Sequence, residues 1–181
     1  MTATVQGLKG STPEAGNVPQ DPDGLLGNAD VSAFTVPAGQ AISRIDLDAG
    51  PGADDLDLFL YADDGTPFDP ENDTLVAVSA TGSASEQLIG KIPAGNYWIV
   101  VDGFAVEAGG GNYNLTTWNV PTTDNGNFTL TPTSQSVTAG DPFSITGSWS
   151  GLDADKVYFG QVTSTLAGQD ATTLVTVRPG S

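Results

Sequence analysis

Cysteine and histidine are both absent from this 181-residue chain, methionine occurs once, and five lysines and arginines face 22 aspartates and glutamates. Each shortage excludes a class of chemistry. Without Cys or His there is no thiol nucleophile, no Ser-His-Asp triad, no zinc finger and no imidazole general base. No disulfide can staple the fold, which must rest on packing or bound metal. A formal charge of -17 leaves no surface able to hold a polyphosphate backbone. That argues against nucleic acid, and against anionic membranes for the same reason. No stretch approaches the ~18 apolar residues of a membrane-spanning helix. What remains is a binding or structural module, or a hydrolase built from carboxylates alone.

The acidity has a plain physical account as well. High like charge keeps a protein soluble and monomeric, so a monomer is expected. Few lysines, with charged residues at only 15%, suit an extracellular or salt-exposed protein. Hydrophobic residues make up 38% of the chain, enough to argue against disorder. Met1 runs straight into Thr-Ala-Thr-Val and the last residues are Arg-Pro-Gly-Ser, which reads as a fragment excised from something longer.

Helical periodicity is hard to find, and short alternating runs between Gly, Pro, Asn and Asp clusters recur instead. That pattern predicts an all-β sandwich. Residues 1–27, rich in Gly, Pro and Asp, read as a linker or irregular lead-in. Strands are expected at Ala33–Val36, Ala41–Leu47, Leu56–Tyr61, Leu75–Ala80, Glu86–Ile89, Tyr97–Val101 and Tyr113–Asn119. Residues 121–126 read as a hinge, and 127–181 as a small β module with strands at Phe128–Thr131, Phe143–Trp149, Val157–Thr163 and Thr172–Val177. Those are too few for a full immunoglobulin sandwich. Within the module, Leu152 to Tyr158 has the spacing of a tyrosine corner, in which the hydroxyl returns to backbone a few residues upstream.

Alternation also assigns faces. Leu56, Leu58 and Leu60 share one face and are expected in the core, as are Tyr97, Ile99 and Val101. Asp55, Asp57, Phe59 and Tyr61 share the other face, with Trp98, Val100 and Asp102 opposite their own core partners. Phe59, Tyr61 and Trp98 are then either covered by a loop or open to a partner, and they are the candidate substrate-binding residues.

Carboxylates carry whatever chemistry is present. Asp54, Asp55 and Asp57 open one strand, Asp63 and Asp64 close it, and Asp69, Glu71 and Asp73 follow. A glycosidase needs two carboxyls about 5–10 Å apart across a cleft, and acidic loops are more often plain solubilising surface, so no catalytic residue is assigned. Calcium is the sharper expectation, since it takes about six to eight oxygen ligands. Asp21, Asp23, Asn28, Asp30, Asp55, Asp57, Asp69, Glu71 and Asp73 are the candidate ligands. None of these runs forms an EF-hand loop, and solvated acidic turns are the competing account. There is no Gly-x-Ser-x-Gly elbow, and Gly109-Gly110-Gly111 has no Walker lysine.

Four blocks of the sequence carry a family resemblance. Phe34-Thr35-Val36-Pro37-Ala38-Gly39, Asp55 to Tyr61, Pro93 to Gly103, and Asn112-Tyr113-Asn114-Leu115-Thr116 stand in the order found in the bacterial pre-peptidase C-terminal domain. Residues 28–120 resemble that domain. The part beyond, with Ser148-Trp149-Ser150-Gly151-Leu152 and Tyr158-Phe159-Gly160, looks like the small fibronectin type III-like tail that follows it in secreted subtilisin-like serine proteases. The resemblance implies a β-sandwich or jelly-roll domain followed by a small immunoglobulin/fibronectin-like module. It also implies a secreted, non-catalytic accessory region, linked to an upstream protease domain that this chain lacks. The implied partner is fibrous protein such as collagen, because relatives include collagen-binding domains, some of which bind calcium. In the family an Asp-x-Asp often precedes the Phe-Thr-Val-Pro strand; here Asn28 and Asp30 stand there, one carboxylate replaced by an amide. Two other roles stay open: a module that packs on and stabilises its own protease domain or assists its maturation, and a carbohydrate-binding sandwich.

Overall fold

The computed structural model describes residues 1–138 and 142–180. Among them there are strands and turns but no helix, as the alternating pattern requires. The strands are β1 (Thr2–Ser11), β2 (Glu14–Val18), β3 (Asp30–Val36), β4 (Gln40–Ala49), β5 (Ala53–Ala62), β6 (Thr74–Ser79) and β7 (Glu86–Gly90), followed by β8 (Gly95–Val106), β9 (Gly111–Pro121), β10 (Phe128–Thr131), β11 (Thr146–Trp149), β12 (Val157–Leu166) and β13 (Gln169–Val177). The chain divides into two compact units, Pro13–Asn119 and a discontinuous one formed by Met1–Thr12 with Val120–Ser181.

Two four-stranded sheets, ordered β2-β9-β4-β7 and β3-β8-β5-β6, make the larger unit. Inward side chains from both fill one core: Val18, Ile45, Leu47, Leu56, Leu58, Leu60, Leu88, Ile99, Val101 and Leu115, closed by Phe34, Val36, Tyr97 and Tyr113. Leu56, Leu58 and Leu60 are fully buried, so the face expected to be core is the core. Hydrogen bonds along β5–β8 put Leu58 opposite Val101 and Leu60 opposite Ile99, which locks the period-two register. Fully burying a side chain of this size contributes about 1.5–3 kcal/mol.

The lead-in is not irregular. β1 runs antiparallel to β12, from Thr2 opposite Thr165 to Ser11 opposite Val157, and β2 runs antiparallel to β9. A shift of register between Gln6 and Lys9 explains why β1 escapes a periodicity reading. The shift moves the buried positions from Ala3 to Leu8, out of phase with each other, and Gly7 sits at φ 94° where a β-carbon would be strained. β2 is hidden differently. Its Gly16 lies under Tyr113, whose ring would collide with any side chain there.

The smaller unit is a three-stranded sheet, β1-β12-β13, with the β10-β11 hairpin. Its core gathers Ala3, Leu8, Phe128, Tyr158, Val162 and Val177. The 121–126 segment, expected as a hinge, is tied to β1: the Asn125 N–H donates to Gly7 O at 3.2 Å, and the Asn125 amide donates to Leu8 O at 2.9 Å. Asn127 clamps the same residue, donating to Leu8 O at 3.0 Å and accepting from its N–H at 3.0 Å. The Tyr158 hydroxyl accepts from the Asp153 N–H at 2.9 Å, the bond a tyrosine corner needs. An immunoglobulin- or fibronectin-like module is consistent with this all-β unit.

Because Leu8 is 1% exposed, Leu8→Ala is expected to destabilise the smaller unit by about 3 kcal/mol. A calorimetric scan reads this as a lower Tm for that unit, whereas a loose lead-in would show no change.

Candidate functional site

The outward face of the β3-β8-β5-β6 sheet gathers most of the residues that the alternation had separated from the core. Residues directly opposite in an antiparallel pair share a face, and the register puts Asp57 opposite Asp102, Phe59 opposite Val100 and Tyr61 opposite Trp98. The face is therefore aromatic at one end and acidic at the other.

At the aromatic end the three expected residues do not behave alike. Tyr61 is only 7% exposed, because Phe68 from the following loop meets its ring edge-on at 5.2 Å. Phe59 lies 6.4 Å from Tyr61, and both Phe59 and Trp98 are half-buried. Of the two fates open to these aromatics, cover by a loop holds for Tyr61. The Trp98 indole N–H is buried with no hydrogen-bond partner. The apolar surface continues onto β6, where Val78 stands opposite Phe59 and Val76 and Val78 are exposed.

At the acidic end the segment before β3 is strapped to β8. The Asp21 N–H donates to Gly103 O at 3.0 Å, Gln20 Nε2 donates to Phe104 O at 2.5 Å, and Gln20 Oε1 accepts from the Val106 N–H at 2.9 Å. This strap seats Asp21 against Asp102. Asp102 is 3% exposed, the Asp21 carboxyl stands near enough to act on it electrostatically, and its Oδ1 has no partner. Burial, followed by the charges of Asp21 and Asp57, pushes the Asp102 carboxyl up to about 6. Burial and the neighbouring Asp55 and Glu86 also raise Asp57, and Asp55 Oδ1 is buried without a partner. Glu86 goes the other way: burial would raise it, but hydrogen bonds from Ser79 and Thr81 outweigh that and lower it.

The other candidate ligands are held by turns and by each other. Asp21 Oδ2 accepts from the Leu26 N–H at 2.8 Å, and Asp23 caps Leu25 at 3.1 Å. The Asn28 amide reaches Gln20 O at 3.4 Å, while Asp30 Oδ2 accepts from the Tyr113 hydroxyl at 2.6 Å. Burial and then that bond raise the Tyr113 phenol. Asp69 accepts from the Glu71 N–H and the Asn72 amide. Asp73 is buried; its Oδ2 accepts from the Asp69 N–H at 2.9 Å and its Oδ1 has no partner. Asp63 and Asp64 cap the N–H groups of Gly65 and Thr66. Among the described residues no three Asp or Glu side chains gather closely enough to hold an ion by themselves. Asp102 was absent from the candidate ligands because its partner, Asp21, is remote in sequence; the strand alternation alone could have placed it beside Asp57.

Residues 28–103, a little under half of the chain, match the family model of the bacterial pre-peptidase C-terminal domain. The family is known as a non-catalytic C-terminal domain of bacterial secreted proteases. Among curated proteins, none matches the chain.

The carboxyl pair makes stability depend on pH. Asp102 binds its proton more tightly in the folded chain than at the ordinary value of 3.8. Its contribution is therefore complete below about 4 and lost as the pH rises through about 6. In chelator, Tm is expected to fall between pH 5 and pH 7. Asp102→Asn, which can donate an amide N–H to Asp21, is expected to flatten that slope and add on the order of 2 kcal/mol at pH 7. An unchanged slope would show that the pair is not the titrating group.

Proposed function

We propose, from the match of residues 28–103 to the pre-peptidase C-terminal domain, that this chain is the accessory region of a secreted, subtilisin-like serine protease. In this reading it works outside the cell and holds the enzyme against insoluble protein such as collagen. Peptide cleavage belongs to an upstream protease domain of the same polypeptide. The observation that carries the tethering is the apolar strip of Phe59, Trp98, Val76 and Val78 on the outward sheet face. Val76 and Val78 are 43% and 48% exposed, on a strand at the edge of its sheet. Aromatic and aliphatic side chains fixed on a sheet give contact area at little cost in conformational entropy. Tethering raises the local concentration of substrate around the catalytic domain without any new catalytic contact.

A second reading rests on the same strip: a module that covers it with its own protease domain would be structural and would bind no external matrix. Co-sedimentation of the purified chain with insoluble collagen, keratin and chitin, at about 0.15 M salt to screen exposed charge, separates these readings. Saturable pelleting with one protein matrix is expected, and Val78→Asp is expected to weaken it about tenfold with Tm unchanged. Pelleting with chitin alone would favour the carbohydrate-binding reading. No pelleting with any matrix would favour the structural one, and removal of the chain would then lower the Tm of the parent enzyme.

Calcium enters this reading at the acidic end of the face. Asp102 Oδ1, buried and unpartnered, suits a hard cation. Asp21 would share it, with backbone carbonyls and water completing the shell, because no third carboxylate gathers there among the described residues. Such an ion would offset the burial and repulsion that raise Asp102 and Asp57 and fix the strap onto β8. Added calcium is expected to raise Tm for the native chain and to leave Asp102→Asn unchanged; an equal rise in both would remove Asp102 from the site.

A further inference from the structure

Beside Tyr61, where the loop after β5 meets the segment before β3, lies an open cavity of about 440 Å³ lined by Gly24, Leu25, Leu26, Tyr61, Asp69, Pro70 and Glu71. Its walls are of two kinds. Leu25, Leu26, Pro70 and the Tyr61 ring are apolar, and Asp69 and Glu71 are carboxylates. Leu25 is 69% exposed, so its side chain is open to an occupant of the cavity. The shape is held from below. Asp21 bonds the Leu26 N–H and keeps Leu26 at φ 61°, while Asp73 and Asp69 bond each other's backbone N–H groups and fix the opposite wall. The volume lies in the range of small-ligand sites.

The charge of the lining narrows the occupant. None of the chain's five basic residues lines the cavity, and neither Asp69 nor Glu71 forms an ion pair among the described residues. Both Asp69 oxygens are engaged by neighbouring donors, at 3.0 Å from the Glu71 N–H and 2.6 Å from the Asn72 amide. The exposed Glu71 carboxylate is therefore the group left to meet a ligand. An acidic occupant is repelled by both carboxylates, and a purely aliphatic one leaves them unused. A side chain with an apolar stem and a cationic head satisfies both kinds of wall, because its methylenes pack on leucine, proline and tyrosine while the head stays at the wet rim.

We infer that this cavity receives a lysine or arginine side chain of a protein substrate, the apolar walls taking the stem and Glu71 the charged head. The inference rests on the tethering reading and adds to it a sequence preference, for basic residues in the bound chain.

The test uses the full chain and three peptides, Ac-Ala-Ala-X-Ala-Ala-NH2 with X lysine, arginine or norleucine, followed by backbone NMR in chelator. The inference expects shifts concentrated at residues 24–26, 61 and 69–71 with the lysine or arginine peptide. Norleucine should bind at least tenfold more weakly, and the difference between lysine and arginine names the preferred head. Glu71→Lys, at an exposed position, is expected to weaken the basic peptides about tenfold without moving Tm. Equal binding of norleucine, or shifts spread over the acidic surface and insensitive to Glu71→Lys, would overturn the inference. Co-sedimentation separates the two readings. If Glu71→Lys pellets with protein as the native chain does and the peptides miss the cavity, the cavity assignment fails and tethering stands. If the peptides bind at the cavity while no matrix pellets the chain, tethering fails and the cavity assignment stands.

Discussion

With 22 acids and five bases, carboxylates in this molecule are satisfied mostly by backbone N–H groups, amides and hydroxyls. That constraint shapes its loops. Asp21, Asp23, Asp63, Asp64, Asp69 and Asp124 each accept a hydrogen bond from a main-chain N–H a few residues on. Turns capped in this way are stiff, because the side chain replaces a donor that a sheet would otherwise supply. Glu86 is held below its usual range by hydroxyls from Ser79 and Thr81. The exceptions are where the supply of donors fails. Asp55, Asp73 and Asp102 each keep a buried oxygen without a partner, and two of the three lie at the acidic end of the outward face.

The same sheet has a core side and an outward side of carboxylates and aromatics, and the division between them is the pleat of β5 and β8. Leu56, Leu58 and Leu60 hold the strand in register through the core, which fixes the direction of Asp57, Phe59 and Tyr61. A slip of one residue would exchange the two sets and bury the Asp57 carboxylate. Core packing and the composition of the outward face are therefore one specification.

This coupling explains how much could be read from the sequence. Strands from β3 onward were legible because each face repeats every second residue between turn-forming residues, and the core leucines followed from it. β1 was not legible, since the shift at Gly7 and Leu8 puts its buried residues out of phase, and β2 presents Gly16 where a periodic reading looks for a side chain. The outward face was legible as a set of residues but not as an environment. Nothing local in Tyr61 announces that Phe68 will cover it, and nothing local in Asp102 announces Asp21. Those relations arise from loops that return to the sheet, and they depend on contacts remote in sequence.

The pairing of β1 with β12 also orders events in time. Joining strands so distant along the chain carries a large loop-closure entropy while the intervening residues are unfolded, and such pairings form slowly. Once Pro13–Asn119 has collapsed around its own core, the effective loop shrinks to the separation of that unit's two ends. A folded larger unit thus lowers the entropy cost of pairing β1 with β12.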